Sequence, residues 1–78
     1  MNERDIIVDH KKMYRLFETD HAQLVIGAMS GGIGMYEVKV QLTDEDKHAY
    51  AQEGRSYLER LALKIQRDPE SFRARWLP

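Results

Sequence analysis

The sequence predicts a single α+β domain over residues 1–78: a three- or four-stranded antiparallel β-meander, then a long helix packed on one face and a short C-terminal helix. Three observations predict it. Apolar residues alternate at period two between Met35 and Leu42, a glycine-rich turn joins that run to an earlier apolar one, and after Thr43 the apolar spacing changes to three and four.

Tyr36, Val38, Val40 and Leu42 alternate with Met35, Glu37, Lys39 and Gln41, the pattern of a strand with one core face and one wet face. Gln23–Met29 is too short for a typical helix and rich in β-branched residues, so it reads as a second strand. Ser30-Gly31-Gly32-Ile33-Gly34 between them supplies the positive φ angles of a tight reversal, which makes the pair a hairpin. Met13–Thr19 has strand-like aromatic content, and residues 1–12 hold either a short edge strand over Asp5–Asp9 or a partly ordered arm.

Thr43 before Asp44-Glu45-Asp46 is an N-cap with three carboxylates at the positive end of a helix dipole. From there Tyr50, Gly54, Tyr57, Leu58, Leu61, Ala62 and Ile65 form one stripe of a helix reaching Arg67, with continuity through Gly54 preferred over a break there. Asp68-Pro69 ends it, because a residue before proline leaves helical geometry. Pro69 then opens the short helix through Trp76, with Asp68 as its cap.

Composition narrows the class. Twelve Lys and Arg against thirteen Asp and Glu leave a net charge of −1, so no overall field draws the chain to nucleic acid or anionic lipid. Cysteine is absent, and the charged start Asn2-Glu3-Arg4-Asp5 does not resemble a signal peptide; with no apolar run of membrane-spanning length, these point to a cytoplasmic protein. A core this small gains from a staple, and without disulfides the staple left is a partner.

No motif of catalysis emerges. Gly31-Gly32-Ile33-Gly34 has neither phosphate-loop spacing nor a lysine, and a strand follows it. His10, His21 and His48 have no metal-ligand spacing and read as solvated turn residues, while Ser30, Ser56 and Ser71 lack a nucleophile-elbow context. The reading is therefore no enzyme, no cofactor and no metal. The late basic residues Arg55, Arg60, Lys64, Arg67, Arg73 and Arg75, with Phe72 and Trp76 for stacking, support nucleic-acid binding as the second reading. An enzyme whose site forms only in an oligomer is the third.

The irregular feature is the Gln23–Met29 run, which is apolar at both parities: Leu24, Ile26 and Ala28 on one face, Val25 and Met29 on the other, with Met35 able to join them. One helix layer covers one sheet face, so the second face is expected to meet another copy of the chain, a different protein, or the terminal segment carrying Phe72 and Trp76.

Over residues 27–75, the string Ser30-Gly31-Gly32-Ile33-Gly34-Met35-Tyr36, then Leu42-Thr43-Asp44-Glu45, Gly54, Tyr57-Leu58, Leu61-Ala62, Ile65, Pro69, Phe72 and Arg73 resembles small bacterial proteins of unknown function. Some of these are similar to immunity partners of secreted toxins, and the resemblance implies no catalytic residue or cofactor. The expectation is a non-enzymatic protein-interaction module, immunity- or antitoxin-like, acting as a homodimer or with a protein partner. Its candidate interface residues are Val25, Met29, Met35, Arg73, Arg75 and Trp76.

Overall fold

Four strands, two α-helices and one 3₁₀ helix follow in the expected order in the computed structural model, which describes residues 3–31 and 34–77. The strands are β1 (Glu3–Asp9), β2 (Tyr14–Thr19), β3 (Leu24–Ser30) and β4 (Tyr36–Gln41). They form one antiparallel sheet in the order β1-β2-β3-β4, so residues 3–9 are an edge strand and not an arm. Gly31 and Gly34 have φ of 95° and 80°, as the β3–β4 reversal requires; Gly32 and Ile33 lie outside the described residues, as do Met1, Asn2 and Pro78.

Strand parity sorts the side chains. Tyr14 and Leu16 of β2, Ile26 and Ala28 of β3, and Val38 and Val40 of β4 turn to the helical layer and are buried there with Leu42. On β1 the register slips by one residue between Asp5 and Ile7. This bulge sends Ile7 to the helical side opposite Leu16, leaves Ile6 in solvent, and puts Glu3 and Asp5 on the far face opposite Thr19 and Phe17. The consecutive apolar residues of β1, which no simple alternation fits, thus have a structural reason.

The helical layer differs from the continuous helix expected. It is two helices, α1 (Asp44–Glu53) and α2 (Arg55–Arg67), divided at Gly54, whose φ of 67° and ψ of −145° belong to a region essentially reserved for glycine. The apolar stripe that suggested one helix belongs to α2, where Leu58, Leu61, Ala62 and Ile65 are buried over the sheet. Each large apolar side chain so buried stabilises the fold by roughly 1.5–3 kcal/mol. In α1 the single buried residue is Asp46, and Tyr50 and Ala49 are half-buried. Gly54→Ala separates the two geometries by sign. In a continuous helix alanine would stabilise by about 1 kcal/mol. Here, although no atom stands within 4 Å of the new Cβ, the backbone strain is expected to destabilise by about 2 kcal/mol in urea unfolding.

The chain ends in a 3₁₀ helix over Pro69–Arg75, after which Trp76 pairs with Val40 and the Leu77 N–H donates to the Lys39 carbonyl at 2.9 Å. This return runs along the outer edge of β4. Phe72 and Trp76 join the core on the helical side and do not cover the second sheet face. The Asp68 side chain accepts the Ser71 hydroxyl and no backbone N–H of the 3₁₀ helix, so it is not the backbone cap expected of it.

Candidate interaction site

Over Phe17 and Val25 the far face of the sheet is closed from within. Arg15, at the centre of β2, makes a bidentate pair with Glu37 (Nε to Oε2 2.6 Å, Nη2 to Oε1 2.9 Å) and reaches Asp5 at 2.8 Å and Glu3 at 2.9 Å. Lys39 donates to Glu3 at 2.7 Å. The guanidinium carbon lies 4.1 Å from the centre of the Phe17 ring and Lys39 Nζ 5.7 Å from it, so the charged groups roof an aromatic floor. Gly27 makes the span possible. A Cβ there would stand 2.8 Å from Glu37 Cδ, in the path by which Glu37 crosses β3 to Arg15. Bonds to Lys39 and Arg15 hold the Glu3 carboxyl below its ordinary value, and those to Glu37, Glu3 and Asp5 raise the already high pKa of Arg15.

Beneath this roof Phe17 and Val25 are 0% exposed. Val25 is therefore not available as an interface residue, and the face expected to unite Val25, Met29 and Met35 is divided. Met29 lies at the hairpin end of the sheet, and Met35 precedes β4.

A second set of polar contacts occupies the opposite end. Asp46, 6% exposed, accepts the Tyr57 hydroxyl, the Arg75 guanidinium and the Thr43 N–H at 3.0 Å, while Thr43 Oγ1 accepts the Asp46 N–H at 3.1 Å. Arg75 also donates twice to the Gln41 carbonyl, at 3.2 and 2.9 Å. Burial alone would raise the Asp46 pKa, but the Tyr57 hydroxyl, the Thr43 N–H and the Arg75 charge outweigh it and hold the carboxyl below its ordinary value. Burial and the Asp46 contact push the Tyr57 phenol up to about 12. Arg75, named as an interface residue from the sequence, is thus engaged as an internal clamp joining the chain end to β4 and α1, with its side chain partly exposed. Arg73 is exposed, pairs with Glu70 at 2.7 Å and stacks 4.6 Å from the Trp76 ring centre, while the indole N–H is used internally on the Pro69 carbonyl at 3.1 Å.

A cavity of about 630 Å³ lies at the end where both hairpin tips meet the outer side of α2. Met13, Met29, Met35 and Leu63 line it, with Lys11 and Lys12 at its rim. Met13, Met35 and Leu63 are 40%, 42% and 46% exposed, although each is a large apolar side chain. Every methionine but Met1 contributes, and methionine is the side chain that adapts best to varied apolar partners. Met13 has φ of 60°, a conformation rare for a long side chain. It is held by two bonds to its carbonyl, from Met29 N–H at 2.9 Å and Gln66 Nε2 at 3.1 Å. The groove thus takes two expected interface residues, Met29 and Met35, and adds Met13, Leu63, Lys11 and Lys12. Leu63 was missed in the sequence, although one signal marked it: it falls off the α2 stripe of Leu58, Leu61, Ala62 and Ile65, which leaves a leucine with no core to enter.

Among the described residues no His, Cys, Asp and Glu converge as a metal-binding group, and no helix is long and apolar enough to cross a membrane. In comparisons with known proteins, the chain matches no family model, no curated protein and no solved structure.

Proposed function

We propose that the chain is a non-enzymatic protein-interaction module that seats a segment of a partner protein in the methionine-lined groove. The observation that carries the reading is the convergence of Met13, Met29, Met35 and Leu63 on one accessible groove, whereas the other exposed large apolar side chains, Ile6, Val8 and Tyr36, do not line it. An immunity-type inhibitor is one member of this class. The nucleic-acid reading has less support, because four of its six basic residues, Arg55, Arg60, Arg73 and Arg75, are each paired with a carboxylate, of Asp9, Glu53, Glu70 and Asp46, which leaves Lys64 and Arg67 outside ion pairs among the described residues. A homodimer through the sheet face loses its motive once Phe17 and Val25 are roofed by the chain itself. A two-fold contact through the groove would bring two basic rims together.

A photoreactive amino acid placed at Leu63, and in a control at the exposed Ala51, tests the reading in the cells that make the protein. A discrete adduct with another protein is expected from Leu63 alone. The purified partner should then bind Leu63→Asp about tenfold or more weakly. That substitution should leave folding stability within about 0.5 kcal/mol, since Leu63 is a surface position. Equal adducts from both positions, an adduct only with a second copy of the chain, or unchanged affinity in Leu63→Asp would each overturn it.

A further inference from the structure

We infer that the segment seated in the groove is an amphipathic α-helix with carboxylates at the end that meets Lys11 and Lys12; this rests on the groove being the docking surface. The first argument is the state of the backbone around the groove. Extended segments dock through main-chain hydrogen bonds, and a groove for a strand must offer free N–H and C=O groups. Here the Lys12 carbonyl accepts from Gln66 Nε2 at 2.9 Å, the Met13 carbonyl already has two donors, and the Gln66 carbonyl accepts the Ser30 hydroxyl at 3.2 Å. A helix, which satisfies its own backbone, needs only the apolar side chains.

The second argument is length. One wall is α2 from Ser56 to Gln66, eleven residues whose ten rises span about 15 Å, which is room for close to three turns of a helix laid alongside. An apolar stripe at three- and four-residue spacing would follow Leu63 and the methionines along that length. The third argument is charge. Arg60 is paired with Glu53, and Glu59 also lines the groove, but among the described residues neither Lys11 nor Lys12 is in an ion pair, although both are exposed, so two ammonium groups stand against one carboxylate. Two unpaired ammonium groups at one end select carboxylates, or the negative carboxyl end of a helix, and reject a basic one.

Fluorescence anisotropy with three labelled peptides of about 12 residues, each enough for three turns, tests this. One is an amphipathic helix with a leucine stripe and a terminal glutamate pair. The second has lysines for the glutamates, and the third has the first peptide's composition reordered to period two. The first should bind about tenfold or more tighter than either other. Leu63→Asp should abolish that binding, and the double variant Lys11→Glu with Lys12→Glu should reverse the preference between acidic and basic helices. If the reordered or the basic peptide binds as tightly as the first and Leu63→Asp abolishes it, the groove stands and the acidic helix is wrong. If none of the three binds, or if Leu63→Asp changes nothing, the groove reading falls with it.

Discussion

Asp46→Ala is expected to destabilise the protein by about 3 kcal/mol, measured by urea unfolding at pH 7. The carboxylate is the common acceptor for Thr43, Tyr57 and Arg75, so its removal takes away the capping-box bond from the Thr43 N–H, worth about 1 kcal/mol, and leaves the guanidinium without its counter-charge, while Thr43 Oγ1 keeps the N–H of residue 46. The loss stays at the lower end for a broken buried pair because Arg75 is partly exposed and retains the Gln41 carbonyl. The pH dependence follows from the direction of the Asp46 shift. Its folded pKa lies below the ordinary 3.8, so its contribution is complete above about pH 5 and is lost as the pH falls through the folded value. Asp46→Asn should be less stable at pH 7 and flatter below pH 4 than the parent, by about the same amount of free energy. An acid limb identical in both proteins would show that Asp46 is not the titrating group. Arg75→Glu would set a carboxylate against Asp46, so charge reversal at that position reports on folding and cannot probe a nucleic-acid surface.

Arg15→Met is the second large effect, about 2 kcal/mol of stability together with self-association. The aliphatic stem keeps part of the cover on Phe17, but Glu3, Asp5 and Glu37 are left converging without the cation that joins them. Repulsion among the carboxylates should open the roof over Phe17 and Val25, and 1 M salt should recover part of the loss by screening. Gly27→Ala, which displaces Glu37 while keeping Arg15, should reproduce a smaller version of the same defect. Light scattering over a dilution series would read the mass. A variant with the parent's mass and stability would mean that the ionic roof does not protect this face.

How much of this was legible depends on how far each feature reaches through space. The β3–β4 hairpin, the Thr43 cap and the α2 stripe are local, and the residues that make them are within a few positions of one another. The break at Gly54 was not legible, because Asp46, Tyr50 and Tyr57 continue a helical spacing across it although the first is a buried acid and not a core hydrophobe. Thr43-Asp44-Glu45-Asp46 has the spacing of a capping box, which could have marked Asp46 as engaged. Arg75 could not be matched to it, with 29 positions between them. The roof was hidden for a similar reason. Glu3, Asp5, Arg15, Glu37 and Lys39 come from three strands, and the β1 bulge reverses the parity that would have placed the first two. An apolar second parity on β3 was rightly read as needing cover, but the cover is charge from neighbouring strands. The groove was half-visible: Met29 and Met35 could be named, while Met13 and Leu63 reach it only once α2 is laid beside the hairpin tips.

Methyl NMR of the chain with labelled methionine and valine, titrated with the partner captured at Leu63, tests the central claim most directly. The expected result is that the Met13, Met29 and Met35 methyl signals move together on binding while those of Val25, sealed beneath the roof, stay in place. Movement at Val25 with the three methionines unchanged would contradict it and return the interface to the sheet face.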